Sequence, residues 1–318
     1  PVKSDIMYVY AGRVWVADES TLYYSALGTY NNFSSPEDAG YINNFHNDAN
    51  AITALKTYKN YLAVYKENFV YLLSGSHANE FAIEPFADKG TTSFSSVVTV
   101  NNKQYFINQS VFSMEQAGLL SQIQLGEELS LKIKSEFNNF DKTRFDEIIV
   151  LNYQSKNQVW FFIPYKNDKY FHIVWIYDYI VQAWFKRKIP QNITSACLFS
   201  DNILTADELG NVYQEDFGNT FNGQPIQFLW KSPFLSPGHV DIRKTIDEFY
   251  FVLDENYDNN FIFSVYKNYD DKYKDDEDSI FSLNSENLIW GGENVSLGLN
   301  SYWHKETEDE SGEAVYSV

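Results

Sequence analysis

Residues 61–73 read Tyr-Leu-Ala-Val-Tyr-Lys-Glu-Asn-Phe-Val-Tyr-Leu-Leu. A short run rich in aromatic and aliphatic side chains is followed by a polar turn and a second apolar run. Short apolar runs separated by a few turn-forming residues are typical of two antiparallel strands joined by a tight turn. The stretch therefore predicts a β-hairpin.

The same pattern recurs along the chain. The repeats start near Val14, Leu62, Tyr105, Val159 and Ile203, so their spacing runs from 43 to 54 residues. A period of this size is typical of four-stranded propeller blades. We therefore predict an all-β fold, a β-propeller of four-stranded blades with about five blade-like repeats, followed by a small β-sandwich-like module.

The composition of the 318 residues agrees with this prediction. Apolar residues make up 44% of the chain, which is enough for a sizeable core, and 24 Tyr and 25 Phe bring the aromatic share to 18%. Aromatic side chains suit pleated, half-buried sheet surfaces. Helical periodicity is nearly absent, and we expect short helices only at Ala49–Leu55 and Glu128–Phe137.

The pattern changes just past Phe221. Pro and Gly stand at the edges of Gly223–Pro233, Lys244–Leu253 and Asn260–Tyr266 read as strong strands, and the acidic run Asp270–Asp278 is typical of a solvated loop. We predict three parts: propeller blades at 1–222, a small β-sandwich-like module at 223–285, and an acidic C-terminal segment at 286–318.

Both ends of the sequence suggest a longer polypeptide. The chain begins with Pro1 rather than a methionine and reaches a strand-like run at Ile6–Tyr10 almost at once. The last stretch, Glu306–Glu313 and beyond, is acidic and polar and adds no closing core element. We expect a segment to precede the first residue and the C-terminal segment to continue.

Charge and cysteine content narrow the possible functions. Asp and Glu total 43 against 24 Lys and Arg, a formal net charge of −19. A field of this sign repels phosphate backbones and disfavours ordinary nucleic-acid binding. The single cysteine, Cys197, excludes an internal disulfide. No apolar run approaches the length of roughly 18 residues that a membrane span requires.

Candidate catalytic and metal-binding residues do not form recognisable motifs. No two of the five histidines are spaced as metal ligands usually are. The histidines are His46, His77, His172, His239 and His304. Of these, His172 is expected to be the most buried. Cys197 is expected to be a small core residue in a strand rather than a nucleophile. We predict no catalytic, cofactor-binding or metal-binding residue.

Two stretches resemble known motifs only in part. Asp254–Asp258 begins like a calcium loop, but Asn259 stands where the loop needs Gly and Val265 where it needs Glu. Asp88–Thr92 loosely resembles the Asp box of sialidase propellers, but its flanking residues are out of place. The four arginines (Arg13, Arg144, Arg187 and Arg243) are scattered and fit the arginine triad of a sialidase poorly.

The tryptophans allow two interpretations. Trp15, Trp160, Trp175 and Trp184 could form a platform for carbohydrate, because aromatic faces stack on sugar rings. Their positions within alternating strands favour the other interpretation, in which they belong to the core of the blades.

Several stretches together resemble a known family, the tail nozzle or hub proteins of short-tailed phages, which include the P22-like packaged-DNA stabilisation protein and the T7-like tail tubular protein B. The resemblance covers roughly residues 12–253. The matching stretches are Gly12–Ala17 with Thr21–Gly28, the turn Ile52–Leu55, the hairpin at 61–68, Lys89–Ser93, Val174–Tyr179 with Gln182–Trp184, and Trp230–Pro233 before Arg243.

The resemblance implies a structural virion protein without enzymatic activity. Such a subunit would sit in a homo-oligomeric ring, a hexamer by the habit of the family, below the portal and adaptor proteins. The ring would retain packaged double-stranded DNA and pass it during ejection, without reading its sequence. The expected location is the virion tail, with the host cytoplasm as the place of assembly. No cofactor is expected.

Two other functions stay open. The chain is alternatively a virion receptor-binding or fibre-attachment propeller, which would bind glycans or cell-surface groups. A propeller glycosidase of the sialidase type is the third hypothesis, and it requires a pair of carboxylates about 5 to 10 Å apart.

Overall fold

In the computed structural model the chain divides into two compact units, Pro1–Ile226 and Gln227–Val318. The structure describes residues 4, 6–45, 48–117, 122–218, 220–226, 229 and 231, and beyond them the backbone of the strands between 250 and 317. The predicted boundary after residue 222 stays a prediction, as do the bounds of the other two parts.

The first unit consists of successive antiparallel sheets. Sheet 1 contains β1 (Ile6–Tyr10), β2 (Arg13–Asp18), β3 (Thr21–Tyr24) and β4 (Gly40–Ile42). Sheet 2 contains β5 (Ile52–Tyr58), β6 (Tyr61–Lys66), β7 (Val70–Ser74) and β8 (Ala82–Ala87). Sheet 3 contains β9 (Val97–Val100), β10 (Lys103–Ile107), β11 (Val111–Ala117) and β12 (Gln122–Leu125).

Two further sheets follow. Sheet 4 contains β13 (Ile149–Tyr153), β14 (Gln158–Phe162), β15 (Ile173–Asp178) and β16 (Ala183–Lys188). Sheet 5 contains three strands, β17 (Ile193–Phe199), β18 (Asn202–Asp207) and β19 (Val212–Gln214). A short hairpin of β20 (Thr220–Phe221) and β21 (Gln224–Pro225) comes next.

The order of strands and the contacts between sheets define a β-propeller. Within each sheet the strands pair in chain order, and each sheet is joined to the next through its last and first strands. The first strands of successive sheets contact one another: β1 with β5, β5 with β9, β9 with β13, and β13 with β17. Meandering sheets whose first strands meet in this way are propeller blades. The predicted fold and its five blade-like repeats are therefore confirmed.

Burial on both faces explains why the central strands are almost continuously apolar. In β6, Leu62 and Val64 belong to the core between sheets 1 and 2, while Ala63 and Tyr65 belong to the core between sheets 2 and 3. Successive side chains of a strand point to opposite faces of its sheet. A strand between two other sheets must therefore be apolar at nearly every position, as the repeated sequence pattern is.

Tight turns join the strands within each blade. The β1–β2 turn has Ala11 and Gly12 at φ of 49° and 70°, and the β17–β18 turn has Ser200 and Asp201 at 46° and 59°. Two successive residues with positive φ match the right-handed twist of the flanking strands. These turns therefore fix the register of their hairpins.

Of the two helices predicted from the sequence, one does not form. Ile52–Tyr58 is strand β5, so the helix predicted at Ala49–Leu55 does not form, and neither does the turn expected at Ile52–Leu55. Pairing with β6 decides the outcome, because Ile52 and Leu55 then enter the core between sheets 1 and 2. The other segment is helical: a 3₁₀ helix spans Leu129–Asn138 and buries Ile133 and Phe137.

Three shorter 3₁₀ helices complete the described part of the first unit. They are Phe94–Ser96, Lys142–Glu147 and Gln154–Lys156. Ser93 and Asp141 cap the first two, each accepting a hydrogen bond from the backbone N–H two residues later. Such caps satisfy backbone donors that a helix leaves unpaired at its start.

From residue 250 onward, the structure describes strands only. β22 (Tyr250–Val252), β25 (His304–Glu308) and β26 (Ala314–Ser317) form one sheet, and β23 (Asn259–Tyr266) pairs with β24 (Lys274–Leu283). The strand predicted at Asn260–Tyr266 is confirmed. Most of the strand predicted at Lys244–Leu253 lies outside the described residues. The solvated loop predicted at Asp270–Asp278 is wrong from Lys274 onward, because these residues pair with β23.

Gly90 lies where a side chain has no room. A Cβ atom at this position would lie 1.9 Å from the carbonyl oxygen of Lys66 and 2.8 Å from that of Phe69. The backbone N–H of Thr91 donates to the same Lys66 oxygen at 2.9 Å. The segment before sheet 3 is thus held against the β6–β7 turn by backbone contact, and this explains the glycine of the Asp88–Thr92 stretch.

We expect Gly90→Ala to destabilise the protein by about 3 kcal/mol or more, because backbone atoms rather than a flexible side chain would have to move. The measurement is the free energy of unfolding in urea. Gly210→Ala is the matched control: Gly210 has φ of 85° but nothing within 4 Å of its Cβ position, so only about 1 kcal/mol of backbone strain is expected. Equal losses for the two variants would contradict the close-approach explanation.

Candidate functional site

A cleft among the described residues lies beside the long β14–β15 connection. Its volume is about 610 Å³, and charged and polar side chains make up most of its lining. The walls come from the Lys142–Glu147 helix, from residues 167–171 and from Thr194 in β17. The cleft therefore joins loops of sheet 4 to the first strand of sheet 5.

Arg144 organises one wall of the cleft. Its guanidinium donates to both carboxylate oxygens of Glu147, at 2.9 and 2.7 Å, and to the backbone oxygens of Asp168 and Lys169, at 2.6 and 2.9 Å. The hydrogen bonds from Arg144 lower the pKa of Glu147, and the same pair raises the pKa of Arg144. Both groups are thus charged and engaged with each other.

A second set of hydrogen bonds runs from Asp168 and Tyr170 of the cleft to residues outside it. His172 Nδ1 lies 2.8 Å from Asp168 Oδ2, and its Nε2 lies 3.0 Å from Asn192 Oδ1. Asn192 Nδ2 donates to Glu208 at 2.6 Å, and the Tyr170 hydroxyl donates to the same carboxylate. These hydrogen bonds lower the pKa of Glu208, with that from Tyr170 contributing most. The network connects the β14–β15 connection to the turn after β18.

The cleft has the geometry of a structural junction. Glu147, Asp168 and Glu208 each accept hydrogen bonds from neighbouring side chains of the same chain. Through these hydrogen bonds the carboxylates join neighbouring loops.

Asp207 holds the turn that ends β18. Its carboxylate accepts hydrogen bonds from the backbone N–H groups of Leu209 and Asn211, at 2.9 and 2.8 Å. It also accepts from the Asn211 side chain at 2.9 Å and the Tyr213 hydroxyl at 2.8 Å. These hydrogen bonds, that from the Asn211 side chain first, lower the pKa of Asp207 to about 2. A carboxylate accepting this many hydrogen bonds is strongly favoured in its charged form.

A buried lysine lies in sheet 2, at the end of β6. Lys66 is fully buried; its Nζ donates to the backbone oxygen of Asp48 at 2.7 Å and lies 4.2 Å from the centre of the Phe45 ring. Burial lowers the pKa of Lys66. Tyr71 packs on the same group, and burial together with the nearby Asp48 raises the pKa of Tyr71 to about 12.

Arg13 forms a similar buried contact in sheet 1. Its guanidinium donates to the backbone oxygen of Ser25 at 2.8 Å and to the carboxylate of Asp38, and it lies over the rings of Tyr24 and Phe81. The hydrogen bond from Arg13 lowers the pKa of Asp38. A guanidinium can satisfy several acceptors at once in a fixed planar geometry. Arg13 therefore ties the long β3–β4 connection to the blade.

The predicted burial of two chemically reactive residues is only partly right. Cys197 lies in β17 as expected, but its side chain is exposed, so its assignment to the core is wrong. His172 is partly buried, with 33% of its side chain exposed, and His77 is more exposed at 64%. The side chains of the other three histidines lie outside the described residues, as does Asp254–Asp258.

The tryptophans are core residues. Trp15 and Trp160 are fully buried, Trp175 is 6% exposed, and Trp184 packs against the same core as Trp175. The interpretation that these four tryptophans belong to the core of the blades is therefore confirmed. Asp88, by contrast, is exposed beside Lys89, as expected of a residue in a surface turn.

Metal-binding and membrane-spanning features can be assessed for the described part of the chain. Residues there include no group of three or more His, Cys, Asp or Glu side chains placed to hold a metal ion. In that same part, no helix is long and apolar enough to cross a membrane.

No family model matches the chain. No curated protein matches it. Solved structures with similar folds include the computationally designed Ika8 protein, at 14% identity and a TM-score of 0.37, with 65% of this chain and 56% of that chain covered. PorZ of Porphyromonas gingivalis is similar at 10% identity and a TM-score of 0.43, with coverage of 67% and 26%.

The β-propeller domain of Cps50 (Swd1) from Myceliophteria thermophila is similar at 11% identity and a TM-score of 0.39, with coverage of 65% and 64%. The chain spans less than two thirds of the length of each of these three proteins. The propeller assignment rests on the strand order and the contacts between sheets.

We expect Asp207→Asn to lower the midpoint of thermal unfolding by roughly 3 °C at pH 7, because an amide presents a donor to Tyr213 or Asn211 where a carboxylate accepts. The pKa of Asp207 is lowered in the folded state from the ordinary value of 3.8 to about 2. The contribution of the carboxylate to the stability of the fold is therefore complete above pH 3.8 and is lost as the pH falls toward 2. The difference between variant and wild type should therefore shrink from pH 5 to pH 2.

Asp201→Asn is the control for this prediction, since Asp201 is an exposed turn residue in the left-handed region that asparagine also adopts. Its unfolding midpoint should stay close to that of wild type at every pH. A constant Asp207→Asn difference between pH 5 and pH 2 would contradict the assigned role of the carboxylate.

Proposed function

We propose that this chain is a structural subunit of a tail nozzle or hub ring of a short-tailed phage, and that it is not an enzyme. The observation that carries the proposal is that a polar cleft of the described residues uses its own carboxylates, Glu147 and Asp168, to hold its own loops, on a propeller whose chain bears a net charge of −19. The resemblance of residues 12–253 to nozzle proteins supports the same function.

The excess negative charge suits a channel wall. DNA moving through a ring must not be retained by it, and a surface of like charge repels the phosphates at distances up to about the Debye length, roughly 8 Å at physiological salt. The described arginines Arg13, Arg144 and Arg187 are each engaged with carboxylates of the same chain. They are therefore poorly placed to bind phosphates, and DNA would slide without sequence-specific contacts.

The stacked sheets suit a rigid structural part. Consecutive blades share aromatic and aliphatic cores, and the loops at either end of the blades project from that frame. Loops carried on a rigid frame can dock neighbouring proteins without reorganising the core. In the proposed ring, portal and adaptor proteins and other tail proteins are the neighbours, and the virion tail is the location.

The mass of the native particle tests this proposal. We expect light scattering to find a closed ring of about six copies of the 36.9 kDa chain. The same particle should fail to retain double-stranded DNA at pH 7 and should bind isolated portal or adaptor rings. A particle that binds neither ring would contradict the nozzle function, whatever its mass.

A monomer with affinity for glycans would favour the receptor-binding alternative. Turnover of a chromogenic glycoside, lost when one carboxylate pair is changed to amides, would favour the glycosidase alternative.

A further inference from the structure

Both ring nitrogens of His172 face oxygen atoms. Nδ1 lies 2.8 Å from Asp168 Oδ2 and 3.0 Å from Asp168 Oδ1. Nε2 lies 3.0 Å from Asn192 Oδ1. The ring is therefore placed between a carboxylate on one side and a side-chain amide on the other.

The amide of Asn192 is oriented by its second partner. Its Nδ2 donates to Glu208 Oε1 at 2.6 Å, and the Tyr170 hydroxyl donates to the other oxygen of the same carboxylate. The reverse orientation would place the amide oxygen against the Glu208 carboxylate, and two acceptors cannot form a hydrogen bond. The amide oxygen is therefore the atom that meets Nε2 of His172.

Asp168 is likewise used as an acceptor. Its Oδ1 accepts a hydrogen bond from the backbone N–H of Tyr170 at 3.0 Å. An ionised carboxylate and an amide oxygen accept hydrogen bonds and donate none, whereas a neutral imidazole has one N–H and one lone pair. Either neutral tautomer would leave a lone pair of the His172 ring facing an oxygen. The imidazolium form, with two N–H groups, donates on both sides.

The charges around the ring suit a cation. Asp168 contacts it directly, and Glu208 of the turn after β18 lies one amide further away. Arg144 of the Lys142–Glu147 helix is directed at Glu147 and at the backbone oxygens of residues 168 and 169. Nζ of Lys169 lies over the ring of the tyrosine that follows it, 5.1 Å from the ring centre. Residues 189–192 of the β16–β17 connection are uncharged.

The hydrogen bonds of His172 connect two blades. Residues 167–171 of the β14–β15 connection, which precede His172, line the cleft. Asn192 directly precedes β17, the first strand of sheet 5. A backbone hydrogen bond crosses the same junction, from the N–H of Phe171 to the oxygen of Ile193 at 2.9 Å. The protection of this N–H from exchange therefore reports whether the junction is closed.

We propose that Asp168, His172 and Asn192 form a proton-dependent clasp between the β14–β15 connection and sheet 5. Histidine side chains gain and lose their second proton between about pH 5 and 8. With both protons present, the ring donates to both partners; with one proton lost, a ring nitrogen faces an oxygen without a hydrogen bond. The clasp is therefore complete at mildly acidic pH and weakens as the pH rises, the opposite direction to Asp207.

The clasp goes beyond the proposed function and does not depend on it, because every contact lies within one chain. Its effect is on the loop that lines the cleft. At higher pH this loop keeps the hydrogen bonds from Arg144 to the backbone oxygens of residues 168 and 169 but loses part of its connection to sheet 5. The cleft would then open more readily on the side of sheet 5.

Hydrogen exchange of the Phe171 N–H tests the clasp. Rates are measured at about pH 5.5 and about pH 8 and corrected for the intrinsic pH dependence of exchange. In wild type we expect the protection of this N–H to fall about 10-fold at the higher pH, because a hydrogen bond to a charged ring is lost. The N–H of Thr91, which donates to the oxygen of Lys66, is the internal reference and should keep its protection.

His172→Gln should show no such fall, because a glutamine side chain does not titrate. The matched control is His77→Gln, the same substitution at a histidine whose side chain is 64% exposed. This control should retain the wild-type fall at Phe171.

A second variant changes the hydrogen-bonding pattern without removing a side chain. In Asp168→Asn, the amide oxygen can still accept the N–H of Tyr170, while the amide nitrogen donates to Nδ1 of a neutral His172 ring. A neutral ring with its proton on Nε2 is then satisfied on both sides, so the fall in protection should disappear. Asp178→Asn is the control: Asp178 also accepts the N–H two residues later, that of Ile180, but in the β15–β16 turn.

Three results would overturn the proposal: equal protection of the wild-type Phe171 N–H at both pH values, a full fall in His172→Gln, or a full fall in Asp168→Asn. Loss of protection at Thr91 would show that a variant does not fold, and the other variant would then decide.

Discussion

The stacking of one sheet on the next is the interaction on which the described propeller depends. Sheet 2 buries Leu62 and Val64 toward sheet 1 and Ala63 and Tyr65 toward sheet 3, so a single strand contributes to two cores. Burial of apolar surface stabilises the fold by roughly 25 cal/mol per Å². A blade between two others gains this stabilisation on both faces, whereas an isolated blade would gain it on neither. Successive blades therefore stabilise one another.

This constraint explains where the polar groups lie. Two buried charged side chains, Lys66 and Asp207, lie at strand ends, where groups of the adjoining loops can pair with them. Lys66 is the last residue of β6 and reaches Asp48, and Asp207 is the last residue of β18 and holds the turn that follows. In both cases the charged side chain makes hydrogen bonds to groups that would otherwise need water as a partner. The ends of the blades are thus fixed by hydrogen bonds and their middles by apolar packing.

Sequence patterns predict the fold because the repeating unit is local. The hairpins near Val14 and Leu62 are visible as alternating runs with a polar turn, and their spacing is sufficient to predict blades. The local pattern predicts a helix where β5 forms, because the strand depends on pairing with β6, which a local pattern does not contain. It also predicts a buried Cys197, although a strand position indicates burial only if another sheet covers that side.

The candidate cleft could be predicted far less well. Asp168 and His172 are four residues apart, but their partner Asn192 comes from a different connection, and Tyr170 meets Glu208 across a still longer separation. Pairs of this kind depend on how sheets 4 and 5 stack and not on any spacing in the sequence. The turn at Asp207 is the exception, since an aspartate shortly before Gly210 and Asn211 is a local turn signal.

The same constraint applies to the outermost described blades. A blade that is apolar on both sides is stable only beside two neighbours, and the outermost described blades have the composition of inner ones. In β2, Val14 and Val16 stand at the positions that Leu62 and Val64 occupy in β6, counted from the hairpin turn that precedes each strand. Met7, Val16, Tyr23 and Tyr41 continue this apolar row across sheet 1 in register. The repeat therefore gives the first described blade the same two-sided apolar pattern as the inner blades, because each blade is built from the same local hairpin.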